Sequence, residues 1–221
     1  MEPTHGYLSD INPDLINCYL IIRDRWADLT EILLKYNIQH CKEFYYQMRE
    51  SKPKASLQQA ARFLYLNRTC WNGLYRVNKK GEFNVPIGTK TKVLLDSDNF
   101  QDLSTLLKQM DIEACDFETT IDKANAGDFL FIDPPYTVKH NLNGFVKYNE
   151  NIFSWEDQIR LKESISRAID RDVSVLLLNA DHCSIRNLYR GIGNVVTLER
   201  ASVIAGNAEA RGIYTELAIK C

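Results

Sequence analysis

The chain has 221 residues and a mass of 25.5 kDa, enough for one domain with a sizeable insertion, or for one and a half domains. Apolar residues make up 45% and charged residues 25%, and no run approaches the roughly 18 apolar residues that cross a bilayer. Residues 1–10 have neither the basic nor the apolar part of a signal peptide, so a cytoplasmic protein with no membrane contact is expected. The six cysteines include no C-x-x-C pair and the four histidines sit at no ligand spacing, which argues against a disulfide framework and predicts no metal site. Net charge is −2, yet residues 62–92 hold seven basic residues and one acid, Glu82. A solvated surface loop and a nucleic-acid footprint explain that local +6 about equally well.

A short buried strand is predicted over residues 7–11, ending at Asp10. Asn12-Pro13-Asp14 then opens a helix, with Pro13 at its first position and Asp14 near the positive end of the dipole. An aspartate at the carboxyl end of a strand, just before a helix, lies where α/β sheets bind ligands. Residues 26–49 read as an amphipathic helix. Residues 51–56 form a breaker, and Ser56 is placed to cap a helix carrying Leu57, Ala60, Ala61 and Leu64 at helical spacing. Residues 68–92 are long, irregular and rich in Asn, Gly and Lys. Such loops are functional or disordered, and Trp71, Leu74, Tyr75, Phe83, Val85 and Ile87 argue against disorder.

A helix over 98–110, a strand over 112–117 and a helix over 119–125 follow. Phe129-Leu130-Phe131-Ile132 is a continuous apolar run, expected to be a strand buried on both faces, and it stops at Asp133-Pro134-Pro135-Tyr136. Ser154-Trp155-Glu156-Asp157 is a capping box opening a helix to about residue 169. Residues 173–178 form a second apolar strand, and 182–189 a helix that begins at His182, which reads as an orienting polar residue rather than a general base. Gly191-Ile192-Gly193 reads as a turn, and residues 195–204 and 213–220 as a closing hairpin across 205–212. This alternation indicates an α/β sheet that is mainly parallel, interrupted after its first unit by the basic region.

The strongest chemical signal is the turn after the apolar run Phe129–Ile132. Pro134 and Pro135 lack N–H donors and cannot continue a ladder. They fix a rigid corner that holds the Asp133 carboxylate, the Pro134 carbonyl and the Tyr136 ring together. A bare strand terminator is the plain alternative. Such a corner suits an exocyclic amine on a planar base: carboxylate and carbonyl accept its two N–H bonds and Tyr136 stacks on the ring, which directs the nitrogen lone pair for in-line methyl transfer.

An apolar strand followed by D-P-P-Y resembles the catalytic motif of amino-group DNA methyltransferases. The segments Arg62-Phe63-Leu64-Tyr65-Leu66-Asn67-Arg68, Trp71-Asn72-Gly73-Leu74-Tyr75-Arg76 and Lys80-Gly81-Glu82-Phe83-Asn84-Val85-Pro86-Ile87-Gly88 are similar to the target-recognition region of Dam-type (D12 class) DNA adenine N6-methyltransferases. The segment from Ser9 to Ile16, Cys115-Asp116-Phe117, and a C-terminal hairpin with Arg200, Arg211 and Glu216 extend the likeness over nearly the whole chain.

The resemblance implies a Rossmann-like catalytic domain from residues 1–25 and 112–221, an inserted, mostly helical recognition domain from residues 26–111, S-adenosylmethionine as cofactor, double-stranded DNA as partner and a GATC-type site. It implies a catalytic clamp of Asp133, Pro134, Pro135 and Tyr136, and cofactor contacts by Asp10 (ribose), Asp116 and Phe117 (adenine) and Asp133. Arg76 and Pro86 fall at base-reading positions, Trp71 beside Leu74 at a wedge position, and Arg68, Asn72, Lys90 and Lys92 at DNA-contacting ones. A minicore under the loop for Trp71 and Leu74, and a phosphate or surface contact for Arg76, are the plain alternatives. The family's first strand and its glycine-rich cofactor loop have no counterpart before Asp10. The resemblance therefore also leaves room for a noncatalytic DNA-binding remnant, or for a second polypeptide that supplies the missing segment.

Overall fold

The computed structural model describes residues 5–78, 81–137, 153–201 and 213–221. Expectations for Lys79, Lys80, Arg211, the hairpin turn over 205–212 and the Arg200 side chain lie outside the described residues. The chain divides into two compact units, Met1–Asp116 and Phe117–Cys221.

In the first unit, β1 (Gly6–Asp10) pairs in parallel with β2 (Met110–Ala114), Asp10 lying opposite Ala114. The Asn12 carboxamide oxygen accepts the N–H groups of Asp14 at 3.0 Å and Leu15 at 3.4 Å, satisfying orphan donors of the first turn and starting α1 (Pro13–Gln39). This one helix, kinked at Arg25 (φ −142°, ψ 35°), runs through what the sequence suggests are two segments. The break falls at residues 40–41, where the Cys41 thiol accepts the Phe44 N–H and opens α2 (Lys42–Glu50). Ser56 is not a cap. It is the first residue of α3 (Ser56–Thr69), behind an extended Ala55 with no side-chain cap. The α4 helix (Phe100–Leu107) starts at Asn99, whose side chain accepts the Asp102 N–H. Leu29 and Leu33 of α1, Tyr45 of α2 and Ala60, Ala61, Tyr65 and Leu66 of α3 form the fully buried centre. The two alanines give the flat stripe against which α1 packs.

The second unit comprises α5 (Phe117–Lys123), β3 (Phe129–Ile132), α6 (Trp155–Asp170), β4 (Ser174–Ala180), α7 (Cys183–Leu188), β5 (Asn194–Ala201) and β6 (Ile213–Lys220). The sheet order is β3-β4-β6-β5. β3 and β4 are parallel, and β6 runs antiparallel to both β4 and β5. The described residues thus form two sheets, with two parallel and two antiparallel pairings, where a single mainly parallel sheet is expected from the sequence. The expected capping box is present: Ser154 Oγ accepts the Asp157 N–H at 3.2 Å and the Asp157 carboxylate accepts the Ser154 N–H at 2.8 Å.

One sheet face, with Val175, Leu177, Leu217 and Ile219, packs on Leu161 and Ile165 of α6 and Ile185 of α7. The other face differs from expectation. Phe129 and Phe131 are 64% and 59% exposed, and Val196 and Leu198, on the opposite edge strand, are exposed on the same face. Side chains alternate across a strand, so only Leu130 and Ile132 of β3 reach the core. Among the described residues the core lies on one face of this sheet, and β3 is not buried on both. No described helix is long and apolar enough to cross a membrane.

Fully buried Leu161 and Ile38, 84% exposed on α1, set the scale for stability. Leu161→Ala should lower the unfolding free energy by about 2–5 kcal/mol and Ile38→Ala by less than about 0.5 kcal/mol, read by urea unfolding followed by circular dichroism.

Candidate functional site

The D-P-P-Y turn leaves the carboxyl end of β3 directly after Ile132, which is paired with Leu177 of β4. Pro134 is buried and serves as the foot of the corner, while Asp133 and Pro135 are exposed and Tyr136 is half-buried. Buried Asn179, two residues past Leu177 on β4, donates to Gln158 of α6 at 3.2 Å, and its side-chain oxygen accepts the Ala180 N–H. Polar groups thus lie in the core of this unit near the strand ends, where α/β sheets hold ligands. His182 follows as the N-cap of α7, its Nδ1 accepting the Ser184 N–H at 3.2 Å. In the structure this histidine thus starts a helix.

In the first unit, Asp10 closes β1 and Asp116 follows the end of β2 by two residues, so both carboxylates stand at the carboxyl edge of one parallel pair. Asp10 Oδ1 accepts the Asn12 N–H at 2.7 Å, which orients the carboxylate. Phe117 begins α5. Its ring packs on Phe153 (centroids 5.6 Å apart), and the Arg160 guanidinium lies 4.3 Å from its centre, a cation–π contact.

Beyond α3, the described residues of the basic segment are irregular. Its two bridges are Cys70 with Ile87 and Val77 with Phe83. Phe83 and Val85 are buried, and the rings of Phe63, Tyr75 and Phe83 stack in sequence at 4.7 and 5.0 Å. These residues, not Trp71, form the minicore beneath the loop. Trp71 is 50% exposed on a single 3-10 turn (Trp71–Gly73), with Leu74 half-buried after it. Asn72 adopts a left-handed φ of 55°, a conformation asparagine tolerates better than most side chains. Arg76, Pro86, Lys90 and Lys92 are exposed. Arg76 Nε donates to Asn84 at 3.1 Å, and Lys92 pairs with Asp96 at 2.9 Å.

Arg68 is turned inward. Its guanidinium donates to the Val93 carbonyl at 2.7 Å and to Asp98 at 2.9 Å. Asp98 also accepts the Leu95 N–H. Burial opposes ionisation of Asp98, but the hydrogen bonds from Arg68 and Leu95 and the Arg68 charge outweigh it, holding the carboxyl below its ordinary range. Arg68 therefore clips the end of α3 to the end of the loop, and Arg62 likewise spends its donors on the carbonyls of Met48 and Arg49. The basic surface is smaller than the residue count suggests.

Sequence reasoning passes over three residues of this loop's support. Asp98 is one. Buried Tyr45 bonds the loop backbone from α2. Gly88 is the third: a Cβ there would lie 2.4 Å from the Cys70 carbonyl oxygen. None carries a local signal. Only the i to i+40 proximity of Tyr45 and Val85 in space reveals its role.

Comparison with known proteins agrees with this architecture. The family model for D12 class N6 adenine-specific DNA methyltransferases matches residues 2–204. The chain is 32% identical to the Type II methyltransferase M1.LlaDCHI of Lactococcus lactis subsp. cremoris, covering 99% of this chain and 80% of that protein. It is 34% identical to the Type II methyltransferase M.MjaIII of Methanocaldococcus jannaschii, covering 94% and 77%, and 31% identical to the DNA adenine methylase of Escherichia coli K12, covering 95% and 77%. A match spanning both units shows that this chain belongs to the D12 class N6 adenine-specific DNA methyltransferase family.

Proposed function

We propose that the chain methylates adenine at N6 within a GATC-type site of double-stranded DNA, using S-adenosylmethionine. In this reading residues 26–111 recognise the site, while residues 1–25 and 112–221 contribute to a Rossmann-like catalytic domain. The observation that carries it is the rigid proline corner at the end of β3, with a buried Pro134 beneath an exposed Asp133. A base in a duplex is out of reach of such a corner, so it must be flipped out, at a cost of a few kcal/mol. Trp71 is exposed and able to fill the gap, and stacking of that kind offsets about 1–3 kcal/mol per base.

In the corner, Asp133 and the Pro134 carbonyl accept the two N6 hydrogens, Pro135 stiffens the turn and Tyr136 stacks on the base. The N6 lone pair is left pointing in one direction. The cofactor supplies an electrophilic methyl group. Asp10 and Asp116, at one strand edge, suit the ribose hydroxyls and the adenine amine of S-adenosylmethionine, with Phe117 and Asp133 as further contacts. In the recognition loop, Arg76 and Pro86 read bases, Leu74 supports the wedge, and Asn72, Lys90 and Lys92 meet phosphates. Arg68 serves by holding the loop.

A second reading has an observation of its own. Among the described glycines, none stands between the end of a strand and the start of the next helix, the place where a phosphate- or cofactor-cradling turn forms. On that reading the chain binds DNA without catalysis.

Three measurements test these readings. The chain should form N6-methyladenine in a GATC duplex, read by mass spectrometry, and Asp133→Ala should lower the rate by about 10²-fold or more with duplex binding retained. An undiminished rate would end the corner's catalytic role. Calorimetric titration of the chain with S-adenosylmethionine should show no saturation in the micromolar range if the second reading holds, whereas micromolar affinity would dismiss it. The logarithm of the DNA affinity should fall by about 0.9 per contacted phosphate for each decade of salt. Lys90→Ala should shallow that slope by about one phosphate, and an unchanged slope would remove Lys90 from the interface.

A further inference from the structure

We infer that Tyr45, which stands outside the recognition loop on α2, is a positioning residue for site discrimination: its hydroxyl sets where the Pro86 turn and, through it, Trp71 stand. The inference rests on the reading that Pro86 faces a base.

Tyr45 is fully buried. Its single hydroxyl proton is shared between the carbonyls of Val85, at 3.0 Å, and Pro86, at 3.2 Å. The Pro86 carbonyl also accepts the Trp71 N–H at 2.9 Å. One oxygen therefore ties the base-reading turn to the wedge. The neighbouring contacts remove slack: Gly88 N–H donates to the Thr69 carbonyl at 2.8 Å, Ile87 bridges Cys70, and a Cβ at Gly88 would collide with the Cys70 backbone. Pro86 has no N–H of its own to pair, so its position is set by what its carbonyl accepts.

The ring of Tyr45 is held by packing that a phenylalanine would keep, with Tyr46 at 5.4 Å and Tyr65 at 6.2 Å. Only the hydroxyl distinguishes the two. Burial raises its pKa well above the ordinary phenol value, so it remains a donor throughout the physiological range. Removing it leaves buried carbonyls with weaker satisfaction, and the turn relaxes where a base edge must be met within tenths of an ångström.

A natural control lies alongside. Tyr65 is equally buried in the same aromatic cluster, but its hydroxyl bonds His40 Nδ1 at 2.8 Å, not the loop. Tyr45→Phe and Tyr65→Phe should therefore lower the melting temperature by similar amounts. They should differ in two further measurements. Amide hydrogen exchange at Trp71 should quicken by about tenfold in Tyr45→Phe and stay at the wild-type rate, corrected for global stability, in Tyr65→Phe. The ratio of dissociation constants for a GATC duplex and one with a single substituted base pair, read by fluorescence anisotropy, should shrink by about five- to tenfold in Tyr45→Phe alone. Unchanged exchange at Trp71 would overturn the positioning role of Tyr45. Faster exchange with an unchanged ratio would instead overturn the base-reading role of Pro86, and the inference about discrimination with it.

Discussion

The described residues between Cys70 and Asp98 contain two isolated bridges and no strand, so their peptide groups have no ladder to satisfy them. A buried peptide group needs a partner, and here bonds within the loop, such as Trp71 N–H to the Pro86 carbonyl, are supplemented by side chains from outside it. Arg68 presents a planar fork of donors and meets both the Val93 carbonyl and the Asp98 carboxylate. Tyr45 reaches two carbonyls from a separate helix. The Arg68–Asp98 pair is largely removed from water on both sides, and loss of one partner would leave a charge uncompensated, at about 3–5 kcal/mol. A loop clipped at its two ends and pinned at its middle presents Trp71, Arg76 and Pro86 outward without a sheet to hold them.

The second unit meets the opposite problem, a ladder that has to stop. β3 pairs with β4 only as far as Ile132, while β4 continues to Ala180, held on its other side by β6. The two prolines cannot donate, so the chain departs from the sheet while the sheet goes on. Asp133 is thereby carried by a rigid turn at the strand's carboxyl end instead of being absorbed into a pairing. The same chemistry that ends the strand exposes the carboxylate.

Much of this was legible because its causes are local. Asn12-Pro13-Asp14 starts a helix through its own side chains, Ser154 and Asp157 cap each other across three residues, and Pro134-Pro135 terminate a strand wherever they occur. What misled was context. Residues 26–49 share one amphipathic pattern, but a cap made by the Cys41 thiol splits them, and cysteine is a weak cap signal. Ser56 has the right residue type in the wrong place by one position. The run Phe129–Ile132 is apolar throughout, and apolar character alone does not say whether an element covers each face. The D-P-P-Y turn and the strand-edge carboxylates could be placed from motifs. Tyr45, Asp98 and Gly88 could not, because their partners lie far away in sequence.

Charge counting shows most clearly how position reshapes composition. Seven basic residues between 62 and 92 suggest a strong electrostatic footprint. Yet Arg62 and Arg68 are consumed by carbonyls and Asp98, and Lys92 lies against Asp96. In a chain of net charge −2, a reduced set of outward cations supplies less of the sequence-independent attraction that phosphates reward. Under the proposed reading, affinity then leans on contacts to base edges and on the wedge, which are worth something only when correctly placed. A recognition surface weak in charge needs a stiff support. The buried phenol, the inward arginine and the glycine without room for a side chain are the parts of this chain that provide it.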